Sequence, residues 1–209
     1  MKQKLVTTQL VKTELKLKSL QGHLHKMKYK EWLLLAGFTG GAALLRVPMQ
    51  VAPSIEPISF FAFLSGWLFG KKKGFLVGAS ALYLSNFLTV GGQGPWTFFM
   101  LAGFGIIGAA GGFLRKNASI IETVLVMGSA TLIYEIIVNL GSIMFFPFAI
   151  IPLLLGAIPF GIVHLLSNAG FSALLPISRK LIVKKGFNER QLAERIMKKL
   201  KLPLKKRNI

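Results

Sequence analysis

Charge patterning constrains this chain more than any other feature. Of its 26 lysines and arginines, all but Arg46 fall into four clusters separated by long uncharged stretches. Eight lie between Lys2 and Lys30, three at Lys71-Lys72-Lys73, two at Arg115-Lys116 and twelve between Arg179 and Arg207. The segments around residues 90–95 and 143–154 turn without a single charge. If each apolar stretch crosses a bilayer, every cationic cluster falls on one side and every uncharged turn on the other, which is the cytoplasmic bias of lysine and arginine. The pattern predicts an all-α integral membrane protein with an even number of transmembrane helices, about six. Both termini are expected in the cytoplasm, and the location is the cell membrane.

Composition agrees. With 53% hydrophobic residues and a mean hydropathy of +0.58, the chain is too apolar for an ordinary soluble domain. A net charge of +19 raises the question of nucleic acid. Nucleic-acid binders carry their cations on a folded polar surface, however, and here they rim apolar spans. Orientation and attraction to anionic lipid explain them better, each cation being worth about 1 kcal/mol near such a surface. Cysteine is absent, so disulfides, thiolate metal sites and thiol nucleophiles are excluded. The first thirty residues lack an apolar core region, so no cleavable signal peptide is expected.

Three segments follow. Residues 1–30 are basic and cytoplasmic; Leu17, Leu20, Leu24 and Met27 recur at helical spacing, so this is either a surface-lying amphipathic helix or a partly disordered tail. Residues 31–184 are the membrane domain. Its first apolar run extends from about Trp32 to Leu45, and a second ends at Gly70 after a stretch punctuated by Pro48, Pro53 and Pro57. Each is about 14 residues against the roughly 20 of a perpendicular crossing, so they borrow from the intervening segment or form a hairpin that dips in and returns. Later spans are expected at about 74–90, 95–114, 119–142 and 155–182, the last interrupted by Pro159 and Pro176. Residues 185–209 form a basic amphipathic helix and tail, with Asn188 and Gln191 as a capping box and Phe187 with Leu192 as a staple.

Nucleotide and metal motifs fail on inspection. Gly103-Phe-Gly105-Ile-Ile-Gly108 has the dinucleotide spacing but lies inside an apolar span, with no strand before it and no acid about twenty residues on. It reads instead as a small-residue packing face. Gly66 to Lys71 resembles a phosphate-binding loop but is one residue short and lacks the hydroxyl after the lysine. His23 and His25 pair with no carboxylate cluster, so neither a metal nor a cofactor is expected. No hydroxyl has a clear histidine partner one turn away, and an enzyme is not expected either.

Polar residues deep in apolar spans are costly, about 2.5–3.5 kcal/mol for a mid-bilayer charge, so they usually have a task or a partner. At 1.5 Å per residue, Glu135 lies about 24 Å above Ser119, His164 about 22 Å above Arg179 and Asn86 about 20 Å above Lys73. Three polar groups on three spans thus share one level. Asn139 shares a face with Glu135, and Asn168 with His164. Above them come Gln93 and Trp96 of an outer turn and Arg46 and Glu56 of the first outer segment. Together they describe a cup open to the outside, suited to a medium-sized organic ligand. The competing explanation is helix glue: Glu135 protonated or bonded to His164, and the asparagines joining neighbouring spans. On the first span, Ala36/Gly40 and Gly37/Gly41 are pairs of small residues that let another helix approach closely, internal or on a partner protein.

Several runs carry a resemblance. Glu56-Pro57-Ile58-Ser59-Phe60, Phe69-Gly70 with Gly74-Phe75-Leu76-Val77-Gly78, Gly92-Gln93-Gly94-Pro95-Trp96-Thr97, Tyr134 to Leu140 and His164 to Ala169 occur in this order. Over residues 32–183 the chain resembles the substrate-binding S component of energy-coupling factor (ECF) vitamin transporters, closest to the branch with cobalamin-specific members. That resemblance implies six transmembrane helices and a vitamin or precursor, cobalamin-like, held near the outer face. It implies a transmembrane coupling subunit and two cytoplasmic ATPases as partners, with Ala36, Gly37, Gly40 and Gly41 at the coupling contact. Gly stands where the family usually has Ala. The alternative is a stand-alone secondary transporter in which Glu135 and His164 relay protons.

Overall fold

A computed structural model describes residues 29–184. The expected amphipathic N-terminal segment, with His23 and His25, and the expected C-terminal helix, with Asn188, fall outside the described residues. Residues 34–181 form one compact unit, and residues 29–33 and 182–184 belong to a second. The described residues are mainly helical, joined by turns, and contain no strand. In chain order they form α1 (Tyr29–Met49), α2 (Pro57–Phe69), α3 (Lys71–Ser85), α4 (Thr97–Gly111), α5 (Ile120–Phe145), a 3-10 turn (Pro147–Ala149) and α6 (Ile150–Lys184).

Three of these are long and apolar enough to cross a membrane: α1, α5, and the run Pro147–Lys184 that contains α6. Large apolar side chains stand exposed along α5 and α6, among them Leu132, Ile136 and Leu140, and Leu155, Ile158 and Leu166. In water such a surface would be a liability; against lipid it is the ordinary solution. This is the architecture of a membrane protein. Helices α2, α3 and α4 have 13, 15 and 15 residues. They measure roughly 20–23 Å, short of the hydrocarbon thickness of about 30 Å.

Local chemistry fixes the helix ends. Glu56 is extended and Pro57 opens α2, where a missing N–H costs nothing. Gly70 alone joins α2 to α3; its φ of +98° is a left-handed value that a side chain would strain. Its N–H closes the last turn of α2 on the Gly66 carbonyl at 2.8 Å. Ser119 and Glu122 form a capping box at the start of α5, at 3.2 Å and 2.8 Å, and Glu122 also pairs with Arg115. The Ser-x-x-Glu signature was there to be read.

Several expected boundaries shift. The first run extends past the expected Leu45: α1 continues through Arg46 and Pro48 to Met49. Helix α6 starts five residues before the expected Leu155 and is continuous through Pro159 and Pro176. Proline is tolerated in an apolar helix where neighbouring groups take up the freed carbonyl.

The centre of the unit is backbone, not side chain. Helices α2, α3 and α4 pack closely on one another, and α4 packs on α5. A methyl group at Gly74 would meet the carbonyl of Gly108, one at Gly108 the carbonyl of Gly74, and one at Gly66 the same Gly108 carbonyl. Gly111 lies likewise against the backbone of Phe63. The spacing Gly103, Gly105, Gly108 therefore serves packing: Gly103 faces the Tyr134 ring, Gly105 the Phe75 ring and Gly108 the backbone of α3. Helix α6 joins differently, through side chains. Phe60 meets Phe171 with ring centroids 5.9 Å apart, and Asn168 Nδ2 donates to Thr131 Oγ1 at 2.8 Å.

On α1, Leu35, Ala42 and Ala43 are buried, while Ala36 and Gly37 are exposed and Gly40 and Gly41 half-buried. A methyl group added at Gly37, Gly40 or Gly41 would meet nothing. The small-residue face thus points away from the other helices of the compact unit.

Candidate functional site

Glu135 and His164 meet. The Glu135 carboxylate Oε1 lies 2.7 Å from His164 Nδ1, and the other ring nitrogen, Nε2, is 3.3 Å from Ser59 Oγ. One line of polar atoms thus links α5, α6 and α2. His164 is 1% exposed, and its imidazole sits edge-on to the Tyr134 ring at 5.0 Å between centroids. Phe104 packs against both rings, with centroids 4.7 Å from Tyr134 and 6.3 Å from His164. Packing therefore holds the imidazole orientation, and the hydrogen bonds set its reach. Asn139, one turn beyond Glu135, donates to the Glu135 backbone carbonyl at 2.7 Å and lies 3.5 Å from carboxylate Oε2.

This cluster opens on a cleft of about 360 Å³, lined by Glu135, Asn139, His164, Tyr134, Glu56 and Ser54 on the polar side. Pro152, Leu153, Gly156, Ala157 and Phe160 supply the apolar wall. The size lies at the small end of organic-ligand pockets. Ser54 has a φ of +67°, an uncommon backbone state for a residue with a side chain. Its carbonyl accepts a hydrogen bond from Ser167 Oγ at 3.2 Å, which ties the loop before α2 to α6 at the rim of the cleft.

Glu56 reaches the cleft from that loop and is held by Arg46, whose Nε lies 3.2 Å from Oε2 without hydrogen-bond alignment. Burial pushes the Glu56 carboxyl above its ordinary range, while Arg46 and His164 pull it back down. Arg46 also donates to Ser85 Oγ at 2.9 Å and Asn86 Oδ1 at 2.7 Å. Asn86 in turn is 3.4 Å from Thr97 Oγ1 and 3.5 Å from Gln93 Oε1, and Gln93 Nε2 donates to the Tyr83 carbonyl at 2.8 Å.

The expected site residues thus divide. Glu135, His164, Asn139 and Glu56 line one cleft. Asn86 bonds to Arg46, Gln93 and Thr97, and so ties the ends of α1, α3 and α4 together. Trp96 lies outside the cleft lining, its ring over Gly94. Asn168 is fully buried against Thr131, with its Oδ1 unpaired. That is interhelical glue rather than a cleft wall. Sequence reasoning did not weigh Ser59, Tyr134 or Ser54. Ser59 and Tyr134 are neighbours of Glu56 and Glu135 in sequence, but only the helix packing turns them toward His164. Among the described residues, no group of three or more metal-ligating side chains gathers.

A family profile described as "Family of unknown function (DUF6580)" matches residues 26–190. No curated protein and no solved structure matches the chain.

Proposed function

The chain belongs to that family of unknown function, and from this premise we propose that it is the substrate-binding membrane subunit of an ECF-type importer. The observation that carries the reading is the Glu135–His164 pair, held at 2.7 Å and presented to a cleft between α5, α6 and the loop before α2. A half-buried acid hydrogen-bonded to a buried histidine in an apolar wall marks a ligand site more than a structural one when space adjoins the pair. The six helices α1 to α6 all cross the membrane, with the loops supplementing the short α2, α3 and α4. The termini and the basic clusters face the cytoplasm of the cell membrane. A vitamin or vitamin precursor enters from the uncharged side. Delivery inward is driven by a transmembrane coupling subunit and two ATPases, the coupling subunit docking on Ala36, Gly37, Gly40 and Gly41 of α1. At about 360 Å³ the cleft suits a compact ring system rather than a whole cobalamin, so a precursor or smaller vitamin is the better fit. The subunit itself carries no catalysis.

Native mass spectrometry of detergent-purified protein tests this. The expected result is a stoichiometric small-molecule adduct, lost in Glu135→Gln and His164→Leu variants that keep the wild-type melting profile. A folded protein that neither carries an adduct nor takes one up from a panel of vitamins and precursors rejects the reading.

The line Ser59–His164–Glu135 favours one second reading, a proton-coupled secondary transporter, because a continuous hydrogen-bonded chain is what a relay needs. It requires uptake driven by a pH gradient in vesicles that contain no ATPase. Absence of that flux removes it.

A further inference from the structure

Glu135 and Asn139 border two recesses, not one. Besides the cleft already described, a groove of about 400 Å³ runs along the opposite side of the α5–α6 seam. Its walls are apolar, with Leu132, Ile136 and Leu140 from α5 and Leu154, Ile158 and Ile162 from α6. All six are at least 46% exposed. Only Glu135, Asn139 and Ala157 belong to both recesses. The seam is open at this level because α6 presents Gly156, Ala157 and Gly161 there; the nearest atoms to a methyl group added at Gly161 belong to the Glu135 side chain, 3.6 Å away. The carboxylate therefore stands in the seam between the two recesses.

Its hydrogen bonding is unequal. Oε1 is engaged by His164 at 2.7 Å, whereas Oε2 has only the long contact from Asn139 at 3.5 Å. A carboxyl oxygen with unused acceptor capacity beside an apolar exposed groove is costly, and a lipid acyl chain has no donor to offer it. A molecule that fits both features needs an N–H donor for Oε2 and a hydrocarbon arm for the groove.

We propose that the ligand of this site is an amphiphile, with an amine or amide head at Glu135 Oε2 and an apolar arm lying in the α5–α6 groove. This rests on the reading of the Glu135–His164 cleft as the binding site, and it adds the chemical class of the ligand.

Photolabelling of the full chain in phosphatidylcholine nanodiscs tests it, with a decylamine carrying a mid-chain diazirine as the probe. Labels are expected on Ile136, Leu140, Ile158 and Ile162, falling about tenfold in Glu135→Gln as the charge-assisted bond is lost. They should also be displaced when Ile158→Trp fills the groove. A phosphatidylcholine with the same diazirine in its acyl chain is the control. If it labels the groove as strongly as the amine, or if Glu135→Gln leaves amine labelling unchanged, the groove is only a lipid-facing surface and the inference falls. If a short amine without a chain labels the cleft while decylamine leaves the groove unlabelled, the inference falls and the cleft stands. If neither amine labels the cleft or the groove, the inference falls, and the adduct seen or not seen by native mass spectrometry decides the cleft.

Discussion

Arg46 meets three partners at once, Glu56, Ser85 and Asn86, and none of the three has another strong cation to turn to in that cluster. Replacing it leaves a carboxylate and two polar groups facing an apolar surround. Arg46→Met is therefore expected to destabilise by about 3 kcal/mol, seen as a lower melting temperature of the purified protein, because removing one partner of a buried pair costs more than the pair was worth. Glu56→Gln keeps an acceptor and should cost clearly less. Thr131→Val removes the acceptor of buried Asn168, whose Oδ1 already lacks a partner. It should cost about 1 kcal/mol, and Asn168→Leu added to it should recover most of that loss, since removing both partners is milder than orphaning one. The site was legible at this scale where spacing alone sufficed: Glu135 with Asn139, and the common level of Glu135 and His164, follow from a 1.5 Å rise. Ser59 was not, because nothing in the sequence says which face of α2 turns toward α6.

Helix ends obeyed local signals wherever these were strong. Gly70, Pro57 and the Ser119–Glu122 cap each stop or start a helix where their chemistry dictates. Apolar runs without such signals drifted, as α1 did when it continued through Pro48. Glycine spacing marked the α4 packing face, but not its partner: that Gly74 of α3 lies against Gly108 depends on tertiary register. The contrast gives a paired test. Gly108→Ala and Gly74→Ala each drive a methyl group into a carbonyl and should cost about 3 kcal/mol or more, or prevent folding. Gly128→Ala and Gly170→Ala, on α5 and α6 where a methyl group meets nothing, should be neutral or slightly stabilising through the better helix propensity of alanine. Melting of the four proteins side by side in one detergent decides between them.

Over the whole molecule, the proposed topology rests on the charge clusters. Because the chain has no cysteine, single cysteines placed at Gly92 and Asn117 report sidedness without background. The reading of basic clusters as cytoplasmic expects Gly92→Cys to react with an impermeant maleimide on intact cells, and Asn117→Cys only after permeabilisation. The reverse pattern would invert the orientation and place the Glu135 cleft on the inner side. The charge pattern supports an expectation of orientation because orientation depends on counts near span ends, not on side-chain geometry. The division between a tightly packed α2–α3–α4 group and a side-chain-bridged α6 was not legible, since it depends on which helices lie adjacent.

The glycine contacts at the meeting of α2, α3 and α4 reverse the usual relation between residue size and tolerance. Cores filled by large side chains absorb change by repacking, and their smallest members are the least informative positions. Here backbone touches backbone, so no side chain can move aside to make room. Phe63 or Leu82 can be exchanged for another apolar residue by repacking, whereas at Gly74 and Gly108 even a methyl group meets a carbonyl. The inheritance of the fold runs through its smallest letters.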